Sequence, residues 1–247
     1  MPSSATMSSI ALTDEQARHL VTQRIFFGHQ SVGDNIVQGI RELMARDPRV
    51  YLNIISDADP GRISGPAFVE RHVGENANPW SKNEAFRAIV ENGLGTQNAI
   101  AMLKYCYVDI GSGTDVREVF NAYSDLISKL KKKDPTLKIV HITVPLTTAE
   151  PAGKAWFKGV LGKPTARQDN IKRNQFNQFL REAYQSDSIF DLAEVESTCA
   201  DGSRCLFMDG DTKAYTLSSE YTSDGGHLNH AGRRAVALRL LMILANT

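Results

Sequence analysis

Two short segments, far apart in the chain, hold the side chains best suited to chemistry. The first is Gly28-His29-Gln30-Ser31-Val32-Gly33. It follows the apolar stretch Arg24-Ile25-Phe26-Phe27 and precedes Val32, Ile36, Val37, Ile40, Leu43 and Met44, which share one face at helical spacing. A strand, a tight turn and a helix are therefore expected here, with Ser31 at the junction. A serine so placed presents its hydroxyl at the sheet edge and its backbone N–H at a helix N-terminus, where partial positive charge favours an oxyanion. Taken alone, a helix-capping serine is the plainer reading.

The second segment is Ser223-Asp224-Gly225-Gly226-His227-Leu228-Asn229, just before an apolar helix at the C-terminus. A carboxylate and an imidazole three residues apart on one turn can reach the same substrate atom. Asp224 would orient and charge-stabilise His227, leaving the other ring nitrogen to take a proton from a serine. The plainer alternative is a loop aspartate that caps the helix beside a histidine satisfied by backbone carbonyls. Asp224, His227 and His230 also fall at spacings a metal could use, but no second ligand cluster accompanies them. No metal or cofactor is expected.

Together the segments resemble the GDSL/SGNH hydrolases, with Gly-x-x-Ser after the first strand and Asp224 to Gly232 (Asp-Gly-Gly-His-Leu-Asn-x-x-Gly) near the end of the chain. The α/β-hydrolase elbow G-x-S-x-G is absent. The resemblance implies a triad of Ser31, Asp224 and His227, an acyl-enzyme, and ester hydrolysis. It also implies a three-layer α/β/α sandwich around a mostly parallel, flavodoxin-like sheet. Within the intermediate blocks, Ile63-Ser64-Gly65 resembles the second, whose glycine N–H donates to the oxyanion, so Gly65 is the candidate. The third block should read Gly-x-Asn-Asp, yet the sequence has Gly111-Ser112-Gly113-Thr114-Asp115 and no asparagine. An ionised Asp115 would repel an oxyanion, and losing one such donor typically costs about 10²–10³ in rate. Asn98, Asn78 or a loop N–H are the candidate replacements. The first block has two residues between glycine and serine where Gly-Asp-Ser has one. His29 thereby takes a polar position near the site, to hydrogen-bond substrate or to pack against Asp109 or the loop.

The expected substrate is a carbohydrate or other small-molecule ester, with O-deacetylation of a sugar favoured. The segment Asn76–Trp80 and the pair Trp156-Phe157 are candidate aromatic platforms or lids. Three rival readings exist: an O-acyltransferase using the same triad, a catalytically weak glycan-binding relative lacking the third-block asparagine, and a metal-dependent hydrolase using Asp224, His227 and His230.

Several further elements must position these groups. Val50–Ile55, Tyr105–Ile110, Leu137–Val144 and Ile189–Val195 read as strands. The stretches from Thr13, Ala85–Asn92, Thr96–Lys104, Val116–Lys132, Asn170–Tyr184 and Ala231–Leu244 read as helices, with Glu75–Lys82 and Glu196–Ser223 irregular. Strands alternating with helices argue for a parallel sheet covered on both faces. The expected organisation is an N-terminal polar segment and helix over residues 1–23, packed on a single domain over residues 24–247.

Composition narrows the class. The chain has 247 residues, 42% hydrophobic and 23% charged, enough for one sizeable core. With 28 basic and 28 acidic residues, it lacks the global positive field that non-specific nucleic-acid or membrane binding uses. Lys131-Lys132-Lys133 reads as a solvated helix end that complements the helix dipole. No apolar run reaches the roughly 18–20 residues of a membrane span. The first 15 residues lack an export signal, so the chain reads as soluble and untargeted unless it is a trimmed mature form. Three cysteines are too few for a disulfide framework. Cys106 is expected to be buried, and Cys199 and Cys205 frame a loop they would either close or leave open.

Overall fold

Alternation in the strands determines how this chain layers. The computed structural model describes residues 12–94, 99–149 and 164–247. In β1 (Arg24–His29), Ile25 and Phe27 enter one core while Phe26 enters the other. The same division recurs in β4 (Ile100–Leu103), where Ile100 and Met102 oppose Ala101 and Leu103. It recurs in β5 (Lys138–Ile142), where Val140 and Ile142 oppose Ile139. Strands buried on both faces need apolar residues at successive positions and helices on either side.

Those strands join β2 (Ile54–Ser56), β3 (Ala67–His72) and β6 (Ser188–Phe190) in a six-stranded sheet of order β2-β3-β1-β4-β5-β6, with every pairing parallel. The five strands from β3 to β6 have the flavodoxin-like order. One face is covered by α1 (Asp14–Leu20), α2 (Val32–Arg46) and α7 (His230–Leu244), whose buried residues share a cluster with Phe27, Phe68 and Ile100. The opposite face carries α3 (Pro79–Gly93), α4 (Val116–Lys133) and α5 (Ala166–Ala183). This is the expected three-layer α/β/α sandwich.

The contact between α2 and α7 brings the two ends of the site together. A Cβ on Gly39 would lie 2.4 Å from the Arg233 carbonyl oxygen, so only glycine permits this close approach. Beside it, the Arg233 guanidinium donates to Glu42 at 2.8 and 3.1 Å. A short helix α6 (Leu192–Glu196) follows β6, and β7 (Leu206–Asp209) pairs antiparallel with β8 (Thr212–Tyr215). Cys199 and Cys205 are joined as a disulfide at the entrance to this hairpin, and Cys106 is free and buried.

Several sequence expectations fail in the element assignment. The strand β3 was not expected, because Glu70, Arg71 and His72 interrupt its apolar pattern; Glu70 is nevertheless buried, between β2 and β1. The stretch expected as a helix to Lys104 contains β4, and Tyr105–Ile110 is not a strand but carries a 3₁₀ turn at Tyr107–Asp109. Short apolar runs do not distinguish buried strand from buried helix by periodicity. Finally, the irregular region Glu196–Ser223 contains the β7–β8 hairpin, and Asn78 opens α3 within the stretch expected to be irregular.

Candidate active site

Ser31 follows the carboxyl end of β1 by two residues and directly precedes α2. Its backbone adopts φ 54° and ψ −105°, a left-handed conformation that L-residues avoid at a cost of about 1–3 kcal/mol. Ser31 does not cap the helix through its side chain. Its Oγ instead lies 2.8 Å from Nε2 of His227. This removes the plainer reading of Ser31 as a helix cap.

His227 sits on the loop before α7. Its Nδ1–H donates to Oδ2 of Asp224 at 2.7 Å, while Oδ1 of Asp224 accepts from the backbone N–H groups of Gly226 at 2.9 Å and His227 at 2.8 Å. Because a carboxylate only accepts, this bond fixes the proton on Nδ1 and leaves the Nε2 lone pair facing the serine hydroxyl. The same backbone and imidazole donors hold the Asp224 carboxyl far below the usual carboxylate range. Ser31, His227 and Asp224 thus form one hydrogen-bonded line. Such a line can deprotonate the hydroxyl for attack on an acyl carbon.

The surrounding loops are tied down. The Leu228 N–H donates to Oδ1 of Asn35 on α2 at 2.9 Å, and the Thr148 N–H donates to the Gly225 carbonyl at 2.9 Å. Gly225 has φ 90°, and a Cβ on Gly226 would meet the Tyr107 ring at 3.1 Å. Tyr107 packs edge-on against the His227 ring at 5.9 Å. Burial, reinforced by the Asp224 charge, raises the Tyr107 hydroxyl pKa, so the hydroxyl keeps its proton.

On the other flank, the Gln30 side chain donates to the Gly74 carbonyl, and Sγ of Cys106 donates to the Gln30 carbonyl at 3.4 Å. Asp109, fully enclosed, accepts from the N–H groups of Ala77 at 2.8 Å and Cys106 at 2.6 Å and from Nζ of Lys82 at 2.5 Å. One buried carboxylate therefore fastens the loop after β3 to the loop after β4. Ala77 is held at φ 62°, a second strained non-glycine residue at this rim.

The structure relocates several expected residues. Gly65 precedes β3, and Ala67, two residues on, pairs with Arg24 at the amino end of β1. It therefore lies at the sheet edge opposite Ser31 and is not an oxyanion donor to it. The glycine after β3 at the correct edge is Gly74, with φ 60°, where a Cβ would lie 2.5 Å from the Lys82 backbone nitrogen. The missed strand displaced the expected block. A glycine that follows a half-polar strand by two residues is the signal that would have found it.

His29 is also corrected. It is 0% exposed and bonds Glu70, not substrate or Asp109. Asp115 caps α4 by accepting from the Glu118 N–H, and Asn78 caps α3 through its Oδ1, which accepts from the Ser81 N–H. Asn98 and the pair Trp156-Phe157 lie outside the described residues. His230 turns from Asp224 and His227 towards Glu42 at 3.6 Å, so the three do not converge on a metal.

An open cleft of about 630 Å³ adjoins Asp224, lined by Tyr107, Ser112, Thr148, Asp169, Arg173 and Gly225. Arg173 reaches it from α5, where it donates to the Tyr107 carbonyl at 2.9 Å and to Thr147 Oγ1 at 2.9 Å. Burial lowers its pKa to about 10, which leaves it charged at neutral pH. No helix among the described residues is long and apolar enough to cross a membrane.

No protein-family model matches the sequence, and no curated protein matches it. Similarity emerges in solved structures. A protein of Streptococcus pneumonia, provisionally named a platelet activating factor, superposes at TM-score 0.53 with 18% identity, over 93% of this chain and 91% of that one. A member of the lipolytic protein G-D-S-L family from Veillonella parvula DSM 2008 superposes at 0.50 with 13% identity, over 89% and 96%. Est24, a carbohydrate acetylesterase from Sinorhizobium meliloti, does so at 0.50 with 11% identity, over 91% and 99%. Such identities speak to the fold alone: this chain shares its three-layer α/β/α fold with these structures.

Proposed function

We propose that the protein is a serine-dependent carboxylic ester hydrolase of the GDSL/SGNH type, with Ser31 as nucleophile, His227 as general base and acid, and Asp224 as the orienting carboxylate. The observation that carries this reading is the unbroken line from Ser31 Oγ to His227 Nε2 at 2.8 Å and from His227 Nδ1 to Asp224 at 2.7 Å, built on a strained turn at the carboxyl edge of the sheet. Strain of this kind is retained where the surrounding structure enforces it, commonly at reactive sites.

In the reaction, His227 accepts the Ser31 proton as Oγ bonds to the ester carbonyl carbon. The tetrahedral oxyanion is met by the N–H groups of Ser31 and Gly74. The third donor is the Asn76 amide, which takes the role of the missing third-block asparagine. Asn76 is exposed on the loop that follows Gly74, and the buried Lys82 ammonium donates to its Oδ1 at 3.3 Å, which leaves the amide N–H groups to donate to the oxyanion. His227 protonates the departing alcohol, and water then repeats the sequence on the acyl-enzyme.

The substrate class is a short-acyl ester of a polar alcohol, foremost an O-acetylated carbohydrate. Hydroxyl and charged groups line the cleft beside Asp224, suiting a hydroxylated leaving group better than a lipid. The likeness to a carbohydrate acetylesterase fold agrees with this choice.

The test is hydrolysis of p-nitrophenyl acetate and butyrate by wild type and Ser31→Ala, compared at matched folding. Turnover by wild type should fall about 10⁴-fold or more in the variant. Equal turnover would remove Ser31 as nucleophile. Asn76→Ala should lower kcat about 10²–10³-fold with little change in KM, and an unchanged kcat would exclude Asn76 from the oxyanion site.

A further inference from the structure

A second cluster lies on the other side of the Ser31 turn and takes no part in the proposed hydrolysis. His29 and His72 are register partners at the carboxyl ends of the adjacent parallel strands β1 and β3. Paired positions in a sheet project to the same face, and here it is the face covered by α2. Asp34, in the first turn of α2, completes the group. Its Oδ1 lies 2.8 Å from Nε2 of His72 and 3.9 Å from Nδ1 of His29, and the three ligand atoms fall within 4.8 Å of one another.

The arrangement has an electrostatic gap. Nε2 of His29 lies 3.0 Å from the Glu70 carboxylate, which can only accept, so the His29 proton resides on Nε2 and its Nδ1 presents a bare lone pair. That nitrogen is buried, and it has no hydrogen-bond partner. The Asp34 carboxylate, another acceptor, lies 3.9 Å away. Two facing acceptors favour a cation between them. The carboxylate behind the imidazole is the outer partner that orients a metal-bound histidine and raises its basicity. A tight backbone supports the ring, since a Cβ on Gly33 would come within 2.3 Å of its Cγ and Nδ1.

We infer that His29 Nδ1, His72 Nε2 and Asp34 Oδ1 form a binding site for a borderline divalent cation, Zn²⁺ being the best match. Tetrahedral Zn²⁺ with bonds of about 2.0–2.1 Å places its ligand atoms about 3.3 Å apart, between the two shorter separations found here. The adjustment falls on His72 and Asp34, whose side chains are each 53% exposed, while His29 stays fixed. Three protein ligands leave the fourth position to water at the surface. Two nitrogens and one oxygen disfavour Mg²⁺ and Ca²⁺, which prefer all-oxygen shells. Since His29 and Asp34 flank Ser31 by two and three residues, the bound ion clips both ends of the strained turn together.

The test is a titration of chelator-treated protein with Co²⁺, followed by its visible d–d absorbance and by competition with Zn²⁺. One equivalent should bind with the intensity of a low-coordinate nitrogen and oxygen site. Affinity should fall at least tenfold in His72→Ala and in Asp34→Asn, and survive in His227→Ala. Zn²⁺ should also raise the Tm of wild type and His227→Ala but not of His72→Ala. Both ligand substitutions are at exposed positions, and circular dichroism checks their folding. Absence of a Co²⁺ spectrum, unchanged affinity in both ligand variants, or binding lost in His227→Ala would each overturn the site. These readouts do not depend on ester hydrolysis, so the two proposals fail separately.

Discussion

Two lines of hydroxyl, imidazole and carboxylate stand among the described residues, and their surroundings separate them. One is Ser31, His227 and Asp224. The other is Tyr123, His141 and Asp187, with the Tyr123 hydroxyl 2.9 Å from Nδ1 of His141 and Nε2 of His141 3.3 Å from Asp187. In the first, the imidazole and carboxylate side chains are 46% and 57% exposed, at the edge of the sheet where α2 begins. In the second, His141 is fully enclosed on β5 and stacked on Tyr184 at 3.7 Å. Burial pushes the His141 pKa down to about 4 despite the Asp187 carboxylate, so the ring is neutral, and burial also raises Tyr123 well above the usual tyrosine range. The same functional groups yield a reactive line only where substrate can approach and where backbone N–H groups can meet developing charge. Enclosed, they are a packing element.

That contrast is sharpest in paired substitutions. Asp224→Asn should lower kcat for p-nitrophenyl acetate by about 10⁴-fold, because the amide no longer fixes the imidazole tautomer. Asp187→Asn should leave kcat within about twofold, as expected of a change outside the site. If the two carboxylates proved interchangeable in their effect on kcat, the distinction between the lines would collapse. A smaller effect separates the hydroxyls. Tyr123→Phe removes one buried hydrogen bond and should cost about 1 kcal/mol, read as a Tm lower by roughly 2–4 °C, with hydrolysis unaltered.

A further expected effect is a pH dependence. His141 has a folded pKa of about 4, against about 6.5 for an unfolded histidine. Between those values the unfolded chain binds the extra proton, so the stability that neutral His141 contributes is complete above about pH 6.5 and is lost as pH falls towards 4. The Tm advantage of wild type over His141→Gln should therefore shrink from pH 7 to pH 5. Using the difference between the two proteins cancels groups common to both, including Glu196, whose pKa burial raises to about 8. A gap that stays constant across this range would show that His141 is not held neutral by burial.

Different parts of the site were legible to different degrees. Ser31 at a strand–helix junction and the Asp-x-x-His loop before the last helix are local patterns, and the structure joins them through the α2–α7 contact. Gly65 was misplaced because β3 carries Glu70 and His72, polar residues that the layer above absorbs in the His29 cluster. Burial of a charged residue depends on its partner, and that partner is distant in sequence: His29 meets Glu70 across 41 residues. Lys82 and Asp109 evade sequence reading for the same reason.

By itself, then, the sequence determined the alternation of strands and helices, the two-sided burial of the sheet and the local geometry around Ser31 and Asp224. Periodicity and turn chemistry are properties of neighbouring residues. Only the tertiary structure decided which glycine lies at the Ser31 edge of the sheet, that Ser31 Oγ meets Nε2 of His227, and which histidine is enclosed. Those outcomes depend on strand order, register and the crossing of α2 with α7, where a shift of one residue turns a side chain from one layer to the other.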